Sequence, residues 1–230
     1  MKLRKLASIF VLGALLMTGC QAGGTTGKSE DVAKEKTVVA ATVSGSQVLD
    51  KLDANVVGIP TTQLEMPEKF KGLPEVGQSM NPDLEVVASL NPDVFVMDNA
   101  FKDSVEKSLK EYDFNTFFLK TNTYTDYIKS IEELGKTIDK EEEATTLINE
   151  LKNIEKEVKS KKGDKAPTVA IIFGSGENFM LATETSYLGD LVKTVGGKNI
   201  ASKLDKNVEN GYVQLSLEYI LEQNPDYILR

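Results

Sequence analysis

The sequence predicts an α/β protein built from two similar βα lobes that a long helical segment joins. Three observations predict this class: a ten-residue phrase that occurs twice, a βα alternation that begins at Thr37, and a long helical pattern in the middle of the chain. The phrase reads Leu-Glu, five residues and then Asn-Pro-Asp, and it occupies 84–93 and 217–226. Because the Glu keeps its position in both copies, we interpret the phrase as an internal repeat.

The first 36 residues have the composition of an export leader followed by a tether. A basic start precedes an apolar run at 6–17 that is too short to cross a bilayer comfortably. The run leads into Leu16–Cys20, which resembles a lipobox, so we expect a lipoprotein signal peptide at 1–20 and lipid on Cys20. An ordinary secretory signal with an incidental cysteine is the alternative. Residues 21–36 are rich in Gly, Thr, Ser and charge, and are expected to form a flexible tether.

The first lobe is expected to span 37–122 as a parallel sheet covered by helices, in a Rossmann-like arrangement. A β-branched run at 37–43 predicts its first strand, and Val48 to Leu52 open a short helix. Alternation of this kind is typical of parallel sheets. The pattern then predicts strands at 56–59, 94–97 and 116–119 and helices at 83–90 and 103–112.

Residues 123–162 hold the longest helical pattern and are expected to connect the lobes. A first helix is predicted at 124–136, after which Asp139 and Glu142 resemble a capping box. Apolar residues at helical spacing continue from Ala144 to Val158, and this second helix is ~35 Å long at 1.5 Å per residue. A surface helix on one lobe and a coiled-coil dimer are the alternatives. We favour the connector because a new strand begins shortly afterwards.

The second lobe is expected to span 163–230. The sequence stops at Arg230, directly after the strand that follows the second phrase, whereas the first lobe continues for a helix and a strand. We therefore expect the chain to be a fragment whose second lobe is truncated, since a half-built sheet would expose an open edge. The predicted elements of this lobe are a strand at 169–173, a turn at 174–177, a helix near 187–195 and a strand at 227–229.

Composition excludes several function classes. The chain has 35 acidic and 27 basic residues and a formal net charge of −8, which argues against nucleic acid as a partner. It lacks a phosphate loop and a dinucleotide motif. A surface hydrolase is a distant alternative because Ser175 lies in Gly-Ser-Gly-Glu, but the Gly-x-Ser-x-Gly frame is missing and the chain contains no His to act as a base. We therefore expect a protein that is not an enzyme.

The lipobox, tether, two lobes, long helix and repeated phrase together resemble the substrate-binding lipoproteins of ABC importers, of the helix-linked class that takes up haem, iron–siderophores and cobalamin. The resemblance implies a protein anchored by lipid to the extracellular face of the cytoplasmic membrane, which captures haem and delivers it to a permease dimer with its ATPase. Surface haem-relay proteins would act upstream. The most specific similarity is to haem-binding members from the Gram-positive iron-regulated surface determinant system, and it lies in 57–62, 74–80, 187–192 and 196–197.

The resemblance implies that Met80 is an axial ligand of the haem iron. A thioether is a suitable axial ligand, although a methionine is often a core filler. The turn residues Gly77, Asn81 and Pro82 surround Met80 in place of a periodic apolar face, which favours the ligand role. In the resembled proteins the second ligand is a His, expected here beyond Arg230.

The pocket for the macrocycle is expected at the carboxyl ends of strands, where open α/β sheets bind ligands. Amides at helix starts next to Ser44 or Thr62 would hold a haem propionate without an Arg. For each residue a simple turn is the alternative. The candidate wall residues are Val43, Ser44, Thr61, Thr62, Gly174 and Ser175.

Glu85 and Glu218 occupy the same position in the two phrases. The resemblance implies that each projects from its lobe and pairs with Arg residues of one permease subunit. The alternative is that each Glu stabilises the first turn of a helix by about 0.3–1 kcal/mol through the helix dipole. The two roles are compatible.

A siderophore or cobalamin is the alternative cargo. A siderophore supplies all the iron ligands itself and requires basic or aromatic contacts from the protein. The candidate wall residues include no Arg and no Trp, and Met80 is available, so haem is favoured.

Overall fold

The computed structural model describes residues 34–161, 163, 165–175, 178–204, 208 and 211–230. The predicted signal peptide, the predicted lipidation site Cys20 and most of the tether lie outside these residues, as do Gly176 and Glu177 of the predicted turn. In the described part of the chain, no helix is both long enough and apolar enough to cross a bilayer.

The first sheet contains four parallel strands, which lie side by side in the order Asn55–Gly58 (β2), Thr37–Ala40 (β1), Val94–Asp98 (β5) and Thr116–Leu119 (β6). The first strand ends at Ala40 and not at Val43, because Thr42 caps the following helix with its Oγ1, which accepts from the Gly45 amide at 3.1 Å. The elements are β1 (Thr37–Ala40), α1 (Val43–Lys51), β2 (Asn55–Gly58), β3 (Gly77–Gln78), β4 (Asn81–Pro82), α2 (Leu84–Leu90), β5 (Val94–Asp98), α3 (Lys102–Leu109) and β6 (Thr116–Leu119).

Both faces of this sheet are buried. Successive side chains of β1 alternate between two apolar clusters: Val38 packs in the cluster beneath α1, while Val39 packs in the cluster beneath α2 and α3. A strand covered on both faces reads as a continuous apolar run, which explains the sequence pattern from which β1 was predicted.

Two helices follow, α4 (Tyr124–Thr137) and α5 (Glu141–Ser160). The predicted capping box is wrong: Asp139 has a left-handed φ of 59°, and α5 begins after Lys140 without a side-chain cap. The chain reverses tightly here, and the Lys140 amide donates to the Gly135 carbonyl at 2.7 Å. Near its start α5 packs Ala144 against the cluster beneath α1, and it then leads to the second sheet.

The second sheet is mixed, whereas two similar Rossmann-like lobes were expected and the first sheet is wholly parallel. β7 (Thr168–Ser175) pairs in parallel with β9 (Lys198–Asn199) and β11 (Tyr227–Leu229). It also forms an antiparallel pair with β8 (Asn178–Ala182), which pairs in turn with β10 (Tyr212–Gln214). Gly174 and Ser175 therefore lie within β7 and not in a loop after it, and Ser175 pairs with Asn178. The elements are β7 (Thr168–Ser175), β8 (Asn178–Ala182), α6 (Tyr187–Thr194), β9 (Lys198–Asn199), β10 (Tyr212–Gln214), α7 (Leu217–Gln223) and β11 (Tyr227–Leu229).

The predicted α/β class is confirmed, and the two phrases fold alike. Each forms a helix of seven residues, α2 or α7. Each helix ends at a left-handed asparagine, Asn91 with a φ of 46° or Asn224 with a φ of 40°. A left-handed residue followed by proline stops a helix and turns the chain into the next strand.

The last Asp of each phrase binds the first Thr of its sheet, an arrangement we call the Asp–Thr clasp. The Asp93 carboxylate accepts from the amide and hydroxyl of Thr37 at 2.7 and 2.9 Å. Asp226 accepts from the same groups of Thr168 at 2.7 and 2.8 Å. In each sheet the clasp fixes the start of one parallel strand against its neighbour, so the repeat extends from sequence to hydrogen bonding.

We predict that Asp226→Asn weakens folding at neutral pH but not in acid. Hydrogen bonds from the amide and hydroxyl of Thr168 lower the pKa of Asp226 below its ordinary value. A carboxylate of this kind stabilises the fold above its unfolded pKa of about 4, and the contribution is lost as the pH falls through the lower folded value. The urea midpoint of the variant should therefore lie below that of the wild type at pH 7 and converge with it in acid.

Asp113→Asn is the control, because the exposed Asp113 side chain has no hydrogen-bond partner among the described residues. Its urea midpoint should match the wild type at both pH values. A deficit of Asp226→Asn that stays constant from neutral pH to about pH 2 would contradict the role of the clasp.

Candidate ligand-binding edge of the first sheet

The carboxyl ends of β2, β1, β5 and β6 meet at one edge of the first sheet, because the four strands are parallel. We call this the strand-end edge. Thr61 and Thr62 follow β2, Val43 and Ser44 follow β1, and the segments after β5 and β6 complete it. Ligands of open α/β sheets bind at such edges.

A buried carboxylate ties three of these strand ends together. Asp98, at the end of β5, is 7% exposed. Its oxygens accept from Thr121 Oγ1 at 2.9 Å, from the Ala100 amide at 2.9 Å and from Ser44 Oγ at 3.3 Å. Burying a carboxylate is costly unless donors surround it, so these four residues, the Asp98 cluster, hold the ends of β1, β5 and β6 in one arrangement.

The helix-start amides expected next to Ser44 are present, but the helix begins at Val43 and not at Val48, where the sequence pattern placed its start. Val43 and Ser44 are half-buried in the first turn of α1, whose leading amides have no partner inside the helix. The expected helix start beside Thr62 is wrong. There the Thr62 hydroxyl accepts from the Leu64 amide at 3.1 Å and forms a turn within a loop.

Met80 lies in the turn of the β3–β4 hairpin, and its side chain is 68% exposed. The hairpin depends on Gly77, which has a φ of +86° and whose Cβ would lie 2.8 Å from the Asp83 amide nitrogen. The Thr61 amide donates to the Gly77 carbonyl at 2.8 Å and joins the hairpin to the loop after β2. The structure thus brings Met80, Thr61 and Thr62 to the β2 end of the strand-end edge, and Met80 does not fill the core.

A cleft of about 440 Å³ lies at the other end of this edge, where the ends of β5 and β6 face α6 and β10. No cleft residue was among the candidate site residues, although Tyr187 begins the stretch 187–192 that carries part of the resemblance. Ser44 and Thr62 were selected because they follow the carboxyl ends of parallel strands. The same criterion, applied to the segments after β5 and β6, selects the cleft residues that the first lobe contributes. The lining consists of Asn99, Ala100, Lys102, Asp103, Thr121, Asn122, Ser186, Tyr187 and Tyr212.

The second sheet holds Tyr187 rigidly against this cleft. The Ser186 hydroxyl caps α6 by accepting from the Gly189 amide at 3.1 Å, and it donates to the Thr183 carbonyl at 2.8 Å. A Cβ at position 189 would lie 1.7 Å from that carbonyl oxygen, so the turn requires glycine. Burial raises the pKa of Tyr187 and of Tyr212, so both hydroxyls stay protonated at neutral pH and remain hydrogen-bond donors.

The remaining candidates lie elsewhere. Glu85 and Glu218 are exposed in the first turns of α2 and α7, as expected from the repeat. Gly174 is exposed in β7, and it does not line the cleft. Among the residues that the structure describes, no three acidic or Cys side chains come close enough to hold a metal ion.

Comparisons with known proteins relate both the sequence and the fold to one group. The profile of the family described as periplasmic binding protein matches residues 38–230. The High-affinity heme uptake system protein IsdE of Staphylococcus aureus is 32% identical over 232 residues, which cover 100% of this chain and 77% of that protein.

Two solved structures agree closely with the fold. An ABC transporter substrate-binding protein from Listeria monocytogenes EGD-e has a TM-score of 0.75 and 34% identity, over 86% of this chain and 75% of that chain. S. aureus IsdE complexed with heme has a TM-score of 0.73 and 33% identity, over 85% and 75% of the two chains.

We predict that Asp98→Ala lowers the free energy of unfolding by about 2–3 kcal/mol, because it leaves two hydroxyls and one amide without their acceptor. Thr121→Val alone should cost about 1 kcal/mol in the wild type and much less once Asp98 is absent. Urea unfolding of the two single variants and the double variant measures this coupling. Equal costs of Thr121→Val in both backgrounds would show that the Asp98 cluster does not act as a unit.

Proposed function

Because the chain belongs to the periplasmic binding protein family, we propose that it is the substrate-binding component of an ABC importer and that its cargo is haem. It delivers haem to a permease dimer with its ATPase. Lipid on Cys20 holds it at the extracellular face of the cytoplasmic membrane, where surface relay proteins supply the haem. The main support is the identity of 32% to a heme uptake system protein over the whole chain.

The position of Met80 supports haem as the cargo. An axial ligand has to be exposed at the binding edge and held by a rigid backbone, and Met80 has both properties. Its thioether supplies one bond to the iron. The sequence contains no His, so Met80 is the axial ligand that this proposal names.

An iron–siderophore is the second candidate cargo. The side chains of the cleft support it more strongly than the candidate residues chosen from the sequence do. A siderophore needs basic and aromatic contacts, and the cleft contains Lys102, Tyr187 and Tyr212. Cobalamin remains a further alternative of the same importer type. A hydrolase has less support, since Ser175 lies in a β-strand of a binding-protein fold and the chain has no His.

We predict that Met80→Leu weakens haemin binding about tenfold or more, which corresponds to ~1.4 kcal/mol. Leucine preserves the apolar shape and removes the sulfur. Haemin is titrated by absorption into the full protein without its first 20 residues. The control is Met66→Leu, the same change in a half-buried methionine that packs against the cluster beneath α1. This variant should bind haemin like the wild type.

Equal spectra and equal affinities for Met80→Leu and the wild type would show that Met80 is not a ligand of the haem iron. A different result is that the wild type fails to bind haemin and instead binds a ferric siderophore or cobalamin saturably. That result would show that the cargo is the ligand that binds, and the proposed importer role would stand.

We further propose that Glu85 and Glu218 dock the protein on the two permease subunits. Each is exposed at the second position of a seven-residue helix, so the two lobes offer matching carboxylates to a two-fold partner. Charge complementarity of this kind sets orientation and encounter rate.

The double variant Glu85→Ala, Glu218→Ala should therefore abolish haem uptake by cells while haemin affinity stays unchanged. The matched control replaces Glu106 and Glu222, which are exposed in α3 and α7, and should transport normally. Normal uptake by the Glu85, Glu218 double variant would eliminate the docking role.

A further inference from the structure

We propose that Lys102 binds propionate at the carboxylate edge of haem, in the cleft between the sheets, in addition to the helix-start amides expected next to Ser44. This inference rests on the proposed function and assigns a subsite within it. Lys102 is the first residue of α3, directly beyond the end of β5, and its side chain is exposed at the cleft.

Among the described residues that line the cleft, Lys102 alone carries a cationic group. Its Nζ lies 5.6 Å from the centroid of the Phe118 ring and forms no ion pair within the part of the chain that the structure describes. Other lysines, such as Lys136 and Lys140, pair with glutamates. In a chain with a net charge of −8, an unpaired ammonium at a cleft is well suited to bind an anion.

The other polar groups of the cleft favour the same class of ligand. Thr121 and Ser186 already use their hydroxyls within the protein. The remaining donors are the amides of Asn99 and Asn122 and the hydroxyls of Tyr187 and Tyr212. Asp103 is the one carboxylate of the lining, so groups that can donate to an oxygen anion outnumber it.

The distance between this cleft and Met80 selects among anionic ligands. Met80 lies in the hairpin that contacts the loop after β2, and Lys102 lies in the helix that follows β5. These two strands are two positions apart in the sheet. At ~4.8 Å per strand the two sites are separated by on the order of 10 Å. A ligand that uses both must carry its metal and its carboxylates at separate places. Haem does so, whereas a small metal chelate does not.

The test combines one substitution with one change in the ligand. The full protein without its first 20 residues is titrated with haemin and with haemin dimethyl ester, in which both propionates are neutral. We expect Lys102→Gln to weaken haemin binding about threefold to tenfold and to change binding of the dimethyl ester less than about twofold. Lys107→Gln, an exposed lysine of the same helix that does not line the cleft, is the control and should change neither affinity.

Each outcome decides the proposal. A loss confined to the free acid supports the subsite. An equal loss with both ligands overturns it, because Lys102 would then act on the shape of the cleft and not on the carboxylates. Saturable haemin binding that Lys102→Gln leaves unchanged also overturns it while preserving the proposed function. If the wild type binds neither ligand, the proposed function itself fails, and the subsite fails with it.

Discussion

The Asp98 cluster is the interaction on which the binding edge depends. A carboxylate that is 7% exposed holds the ends of β1, β5 and β6 through Ser44, Ala100 and Thr121. Without an acceptor at this point, three strand ends would expose unsatisfied donors next to the cleft. In the proposed function this edge presents Met80 at one end and Lys102 at the other, and a preformed arrangement would lower the cost of ordering the site when the ligand binds.

The repeated phrase gives the two lobes equivalent parts with different surroundings. Asp93 and Asp226 make the same clasp, but the first sheet is wholly parallel while the second adds an antiparallel hairpin after β7. The geometry that the two phrases share places Glu85 and Glu218 at matching, exposed positions of their helices. The parts that differ between the lobes include α6 and β10, which supply Tyr187 and Tyr212 to the lining of the cleft. A ligand in the cleft needs no symmetric contacts, unlike a two-fold permease.

Local patterns in the sequence predicted much of the fold because caps, left-handed asparagines and prolines act within a few residues. The strand at 227–229 and both phrase helices follow from such signals. The antiparallel pairing of β8 with β10 depends on contacts between residues that are distant in the sequence, so no local pattern predicts it. Asp139 resembled a cap, but the close packing of α4 against α5 requires it in the turn. Lys102 is an ordinary surface residue in sequence, and only the strand order places it in the cleft.

The decisive measurement is a crystal structure of the haem-loaded protein. We expect the macrocycle to lie along the strand-end edge, with Met80 Sδ bonded to the iron and the propionates directed toward Lys102. Haem bound elsewhere, for instance in the apolar groove between Ile154 of α5 and Leu191 of α6, would show that the strand-end edge is not the binding site. Haem at the strand-end edge with Met80 turned away from the iron would rule out Met80 as a ligand.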